Sequence, residues 1–266
     1  MGLEYLYPEG KGRALTFSYD DGMTADRRLV QLFDAWGLKA TFHLNSGFLG
    51  KDGYVEAQEV PSLYRNHEVA CHGVRHAHLL NLAATERVQE LWDDRIALEQ
   101  VTGGIVSGMS YAFGEYSEEI KSTLRALGFR YARTVCEHGG FQLPADFLSW
   151  HPTCHHASPR LMEYAEQFMN PPAYLNLPVF YVWGHSFEFE RTDTWEIMER
   201  FAEKVAGDSD VWYATNGELC DYILAVRWLQ YSASMKIVHN PSALTVWARK
   251  RDGSVLTIAS GETKSI

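Results

Sequence analysis

The chain has 266 residues, of which 46 % are hydrophobic and 22 % charged, and its formal net charge is −10 at neutral pH. This length and apolar content allow a sizeable core and suit a single α/β barrel. The acidic balance argues against nucleic acid and anionic membrane surfaces as partners, because both repel a negatively charged protein.

The sequence contains no recognisable targeting signal or membrane span. Residues 1–13 lack the apolar run of a secretory signal, and no stretch approaches the roughly 18–20 apolar residues of a spanning helix. The four cysteines lie far apart and form no C-x-x-C pair, which indicates reduced thiols. We therefore expect a cytoplasmic protein, although a secreted chain with its signal removed would look the same.

The first predicted element is a buried strand over 14–19, rich in β-branched and aromatic residues, which ends at Asp20-Asp21-Gly22. Further strands are predicted at 39–44, 68–71, 105–113, 129–135, 179–183 and 211–215. Helices are predicted at 26–36, 55–65, 86–101, 117–127, 161–168, 194–205 and 218–230, with an irregular stretch at 137–159. This alternation predicts a mostly parallel sheet with helices outside it.

The last part of the chain has a different pattern. Short strands are predicted at 235–238, 244–249 and 255–258, and turn-forming residues such as Asn240-Pro241 and Asp252-Gly253 separate them. We therefore predict a barrel domain over 1–231 and a small antiparallel β appendage over 232–266, packed on the barrel.

Two motifs follow predicted strands. Asp20 and Asp21 would repel each other at a buried strand end unless a cation lies beside them, although Asp-Asp-Gly is also good turn chemistry. His72 and His76 are spaced four apart, so one helical turn would bring both imidazoles to one metal, although one of them could instead cap a loop. Because strand ends converge in a parallel barrel, a carboxylate and two histidines could form a triad with open positions.

These motifs, followed by Gly114 and then His185 at a strand end, resemble the polysaccharide deacetylases (NodB-homology hydrolases of the carbohydrate esterase type) over about residues 12–225. The resemblance implies a distorted (β/α) barrel. It also implies a metal-dependent hydrolase that removes acetyl groups, above all N-acetyl, from an amino sugar, oligosaccharide or polysaccharide. The expected metal is Zn²⁺, or Co²⁺, Mn²⁺, Ni²⁺ or Fe²⁺, since an Asp and two His discriminate weakly between them.

The family's roles carry over by motif. Asp20 matches the general base, and Asp21, His72 and His76 match the metal ligands. In Tyr111-Ala112-Phe113-Gly114, which matches the third motif, the backbone N–H of Phe113 would hold the oxyanion. His185 matches the general acid. The expected substrate-binding residues are Tyr111, Trp150, His155, His156 and Trp183.

The chain also departs from the family. The arginine that usually pairs with the base is replaced by Ser110, so Arg133 or Arg75 would have to supply the positive charge. Gly73 replaces a serine or threonine, and Ala112 replaces a proline. The aspartate that tunes the final histidine has no clear match, Asp146 and Glu188 being candidates, although we expect Glu188 and Glu190 to be solvated. His43, His67, His78 and His138 are expected to be structural. These departures indicate a divergent branch.

Two other functions stay open from the sequence. One is hydrolysis of another non-peptide C–N bond in a small molecule, since some relatives of this fold act on cyclic amides. The other is a catalytically inactive carbohydrate-binding protein, which the replaced arginine favours and the retained motif residues oppose.

Overall fold

The computed structural model describes residues 3–266, so Met1 and Gly2 of the predicted first domain lie outside the described residues. The strands are β1 (Glu4–Leu6), β2 (Arg13–Asp21), β3 (Ala40–Leu44), β4 (Glu68–Cys71), β5 (Gly108–Ser110), β6 (Tyr131–Arg133), β7 (Cys154–His155), β8 (Val179–His185), β9 (Val211–Tyr213), β10 (Gln230–Tyr231), β11 (Ile237–His239), β12 (Val246–Arg249), β13 (Val255–Ile258) and β14 (Thr263–Ser265). The helices are α1 (Asp26–Trp36), α2 (Val60–Leu63), α3 (Ala84–Thr102), α4 (Glu118–Ala126), α5 (Leu161–Met169), α6 (Ser186–Thr192), α7 (Trp195–Val205) and α8 (Asn216–Arg227).

The main sheet is parallel and is organised around β2. Its strand order is β6-β5-β4-β3-β2-β8-β7, and β9 pairs with the first residues of β2. β2 is buried along almost its whole length and packs on amphipathic helices, with the Phe17 and Phe33 ring centroids 4.6 Å apart. The predicted distorted (β/α) barrel is confirmed.

The segment around Trp150 draws the two ends of the sheet together. The Trp150 backbone N–H donates to the Ala132 carbonyl, and the Trp150 carbonyl accepts from the Thr134 N–H, both at 3.0 Å. Trp150 therefore bridges to β6. Four residues later the same segment forms β7 beside β8. The irregular stretch predicted at 137–159 therefore contains the link that curls the sheet.

The predicted antiparallel strands near the end of the chain are confirmed, and they form two small sheets. One has the order β1-β12-β13 and the other β10-β11-β14. The first sheet takes its edge strand from the beginning of the chain, with Glu4 paired opposite Arg249. The two small sheets therefore combine strands from the last part of the chain with one strand, β1, from its beginning.

Several predicted elements differ in length. The predicted helix over 55–65 shrinks to α2, which begins at Val60-Pro61, where proline suits a first turn. The predicted strand over 105–113 shrinks to β5, because Ile105 is 85 % exposed and lies outside the sheet. α6 was not predicted. None of the helices within residues 3–266 combines the length and apolar character needed to cross a bilayer.

Candidate active site

The candidate site lies at the carboxyl ends of the parallel strands. Asp20, near the end of β2, pairs in register with His185 at the end of β8. Ser110 and Arg133 pair in register at the ends of β5 and β6. These strand ends therefore bring together a carboxylate, an imidazole, a hydroxyl and a guanidinium.

Asp20 forms a buried ion pair with Arg133. The Arg133 Nη2 donates to Asp20 Oδ2, and the two residues are 0 % and 2 % exposed. Burial alone would raise the pKa of Asp20, but the charge of Arg133 outweighs it and holds that pKa well below its usual range. Asp20 is therefore a carboxylate at neutral pH, and Arg133 supplies the charge that the motif lacks at Ser110.

Ser110 connects Asp20 to His72. Its hydroxyl donates to Asp20 Oδ1 at 3.0 Å and lies 2.7 Å from His72 Nδ1. The same Nδ1 lies 2.9 Å from the Ser110 carbonyl oxygen, which can only accept, so the proton sits on Nδ1 and Nε2 carries the lone pair.

Asp21, His72 and His76 form a cluster suited to a metal ion. Asp21 Oδ1 lies 3.6 Å from His72 Nε2 and 3.8 Å from His76 Nε2. His72 Nε2 is buried and has no hydrogen-bond partner within residues 3–266. Burial lowers the pKa of His72 to about 3, so its imidazole is neutral. A divalent ion would satisfy this lone pair, and the donor set fits one.

Acidic residues of α3 hold the loop that carries both histidines. Asp94 accepts the backbone N–H groups of His72 and Gly73 at 3.1 and 2.9 Å, and Glu90 accepts that of Arg75 at 2.6 Å. Gly73 has a φ of +83°, and a Cβ there would lie 2.9 Å from Glu90 Oε1. The glycine that replaces the family's serine or threonine therefore fits a left-handed turn against α3.

Glu188, in the first turn of α6, lies among three imidazoles. Its Oε1 is 3.4 Å from His185 Nδ1, and its Oε2 is 3.1 Å from His155 Nε2 and 3.3 Å from His156 Nε2. Burial would lower the pKa of His185, but the contact with Glu188 and the charges of Asp20 and Asp21 outweigh it, so the pKa is raised. Glu188, which we expected to be solvated, is the carboxylate beside the predicted general acid.

The aromatic residues of the site divide into exposed and buried ones. Phe113 is 51 % exposed, has a φ of +57°, and packs edge-on against His76 with ring centroids 4.5 Å apart. Trp183 lies under the Arg133 guanidinium and packs edge-on against His155. His156 is buried and stacks on Phe189, so only its edge near Glu188 approaches the site.

Two predicted substrate-binding side chains are buried elsewhere. Trp150 is 2 % exposed and packs against Phe147 and Tyr181, because its backbone belongs to the link between β6 and β7. Tyr111 is 1 % exposed, and its hydroxyl donates to the Leu148 carbonyl. Neither side chain is available to a saccharide, which corrects that expectation.

Arg75 and Asp146 were the other candidate partners of Asp20 and His185, and both pair with different residues. Arg75 pairs with Glu90 rather than with Asp20. Asp146 pairs with Lys121 and Arg125 rather than with His185.

The comparisons with known proteins agree with this architecture. The family model for polysaccharide deacetylase matches residues 8–132. The chain is similar to the structure of a “putative polysaccharide deacetylase” from Mycobacterium smegmatis, with 18 % identity and a TM-score of 0.64, over 85 % of this chain and 95 % of that one. It is also similar to Puue allantoinase, with 13 % identity and a TM-score of 0.61, over 80 % and 91 %.

A third similar structure is a CE4 family pseudoenzyme from Bacillus anthracis, with 17 % identity and a TM-score of 0.51, over 80 % of this chain and 66 % of that one. The chain spans 61 % of a Streptococcus pyogenes deacetylase, with 18 % identity, a TM-score of 0.48 and 50 % of this chain covered. No curated protein matches the sequence. The predicted resemblance to the polysaccharide deacetylases is confirmed, and at these identities the structural likenesses show the fold alone.

Proposed function

Because residues 8–132 match the polysaccharide deacetylase family, we propose that this chain is a metal-dependent hydrolase that removes acetyl groups, most readily N-acetyl, from a saccharide. One observation carries the proposal. Asp20 is held as a carboxylate by Arg133, directly beside the Asp21, His72 and His76 cluster, whose His72 Nε2 lone pair has no partner among residues 3–266.

The three cluster residues would hold the metal. A divalent ion bound there supplies a Lewis acid for the acetyl carbonyl and lowers the pKa of a bound water from ~15.7 toward ~7. Zn²⁺ is the ion we would test first.

Asp20 would accept the proton of the attacking water. A carboxylate with so low a pKa is a weak base, so it would serve for a water whose own pKa a bound ion had lowered. Ser110 and Arg133 occupy one lone pair of each carboxylate oxygen, which fixes the orientation of the group. The new C–O bond gives a tetrahedral intermediate, and the backbone N–H of Phe113 would donate to its oxyanion.

His185 would complete the reaction. Its raised pKa favours the protonated imidazole, which would donate a proton to the leaving nitrogen as the C–N bond breaks. The products are acetate and a free amine. Phe113, which is 51 % exposed, offers apolar ring surface beside the site on which a sugar ring could pack, whereas Trp183 is buried and lies under Arg133.

The test is acetate release from a panel of N- and O-acetylated saccharides, with and without chelation and Zn²⁺ add-back. The panel includes small cyclic amides, to test the alternative C–N hydrolase. We expect metal-dependent acetate from at least one saccharide. Ring opening of a cyclic amide without acetate release would instead establish a hydrolase of another C–N bond. No product from any substrate, with metal bound, would indicate a binding protein.

Variants separate the two parts of the site. His76→Ala should lose the bound ion, whereas Asp20→Asn should keep the ion and lose turnover by ~10²–10⁴-fold. His239→Ala is the matched control, because His239 lies on β11 and contacts Thr263 rather than the site. Full metal occupancy in His76→Ala, or full turnover in Asp20→Asn, would refute the respective assignment.

A further inference from the structure

His155 lies against Glu188, the carboxylate that also lies beside His185. His155 pairs in register with Trp183 and its side chain is 20 % exposed. Its Nε2 lies 3.1 Å from Glu188 Oε2, whereas His185 Nδ1 lies 3.4 Å from Glu188 Oε1. The Glu188 carboxylate therefore presents one oxygen to His185 and the other to His155.

The backbone decides which nitrogen of His155 carries the proton. The Ala157 N–H donates to His155 Nδ1 at 3.1 Å, so Nδ1 must be the acceptor of the neutral ring. The proton then sits on Nε2, which faces Glu188 Oε2 at 3.1 Å. His155 thus presents its protonated nitrogen within 3.1 Å of the Glu188 carboxylate.

The same reasoning argues against a second metal site. The ligand atoms of His155, His185 and Glu188 lie within 4.8 Å of one another, a spacing that an ion could bridge. An imidazole binds a metal through an unprotonated nitrogen, however, and the nitrogen of His155 that faces the cluster is the protonated one. His72 is the opposite case, because its Nδ1 donates to a carbonyl and its Nε2 is free.

We propose that His155 is a positioning residue for His185, and that it acts through Glu188. The Nε2–H of His155 fixes the carboxylate, while Glu188 Oε2 also accepts the backbone N–H of His185 at 3.3 Å. The other oxygen lies 3.4 Å from His185 Nδ1, which makes no hydrogen bond within residues 3–266. In the proposed arrangement the two draw together, so that Nδ1–H donates to Glu188 and Nε2 of His185 is left for the substrate. The 3.4 Å contact between Nδ1 and Oε1 is long, as such contacts often are before substrate binds.

Removing His155 and removing the charge of Glu188 should shift the basic limb of the pH–rate profile in opposite directions. Removing the His155 donor makes Glu188 a stronger partner for protonated His185, so the basic limb of the pH–rate profile should move up by about half a pH unit. Removing the Glu188 charge should move that limb down. The charged and titratable groups that face His185 are Glu188 of α6, His155 and His156 of the β7 segment, and Asp20 and Asp21 of β2.

The experiment compares the pH dependence of kcat for His155→Ala, His155→Gln, Glu188→Gln and the control His239→Ala. We expect His155→Ala to lower kcat by about 10-fold with little change in KM. His155→Gln should recover most of that loss, because its amide N–H can replace the donor. An unmoved basic limb in His155→Ala, or limbs that move in the same direction in His155→Ala and Glu188→Gln, would overturn the proposal.

Two further measurements, ¹⁵N NMR of the imidazoles and the metal content of His155→Ala, do not depend on turnover. The kinetic comparison rests on the proposed function, whereas ¹⁵N NMR of the imidazoles does not. It should show His185 protonated at Nδ1 in the unaltered protein, and a changed Nδ1 signal in Glu188→Gln. An unprotonated Nδ1 would refute the arrangement even if no substrate is found, and loss of a bound ion from His155→Ala would replace it with a second metal site.

Discussion

Replacing Arg133 with methionine should destabilise the protein strongly, because it removes the guanidinium that pairs with the buried Asp20 carboxylate while keeping a similar side-chain volume. Arg133 is 0 % exposed and Asp20 is 2 % exposed, so water cannot replace the guanidinium. Breaking a buried pair of this kind by removing one member typically costs about 3–5 kcal/mol. We therefore expect Arg133→Met to lower the free energy of unfolding by about that amount at pH 8.

The loss of unfolding free energy in Arg133→Met should grow as the pH rises. In the unaltered protein the pKa of Asp20 is depressed, so its contribution is present above the unfolded value of ~3.9 and is lost only as the pH falls through the folded value. Without Arg133, burial dominates and raises the pKa of Asp20. The variant should therefore fall further behind the unaltered protein as the pH rises above about 4, and the difference should be smallest at the acid end of the range.

Urea unfolding of metal-free protein, followed by circular dichroism at pH 5 and pH 8, measures both effects. The control is Arg249→Met, which breaks an exposed pair with Glu4 at 3.0 Å and should cost only about 0.2–1 kcal/mol. Combining Arg133→Met with Asp20→Asn should recover much of the stability without restoring turnover. A loss at pH 8 no larger than that of the control would refute the reasoning.

Three more changes test particular contacts. Burial raises the pKa of Asp26 to about 7, so stability should fall by roughly 4 kcal/mol as the pH rises from about 4 to about 7, and Asp26→Asn should remove this slope in urea unfolding. Gly73→Ser should cost about 1–3 kcal/mol and weaken metal binding measured by titration, because of its φ of +83° and the nearby Glu90. Trp150→Ala should cost about 3–5 kcal/mol in thermal or urea unfolding because Trp150 is a buried core residue, and KM in the folded fraction should be unchanged.

The sequence was most informative where local pattern and chemistry coincide. The strand before Asp20 and the helix over 26–36 were predicted closely because apolar periodicity and glycine ends specify them. The convergence of Asp21, His72 and His76 followed from the rule that parallel strand ends share one edge. The roles of these residues remain predictions, which the variants above would test.

The errors occurred where the answer depends on distant parts of the chain. Trp150 was expected in a pocket because it stands near the histidines in sequence, but its backbone joins β6 and its ring fills the core. Glu188 was expected in solvent because α6 was not predicted; the first turn of that helix returns Glu188 to His185 and to His155. Residue spacing alone carries no information about either contact.

The replaced arginine shows why such a departure need not abolish the site. Ser110 stands where the family places its arginine, and in the sheet its register partner on the next strand is Arg133. The positive charge therefore comes from the neighbouring strand and contacts the same carboxylate. Serine is shorter than arginine, so it leaves space for Arg133, and its hydroxyl also donates to Asp20. Because the proposed base would require a nearby positive charge rather than an arginine at one position, loss of that motif residue is weak support for an inactive protein. The inactive alternative would need a further defect, which acetate release and metal content can detect separately.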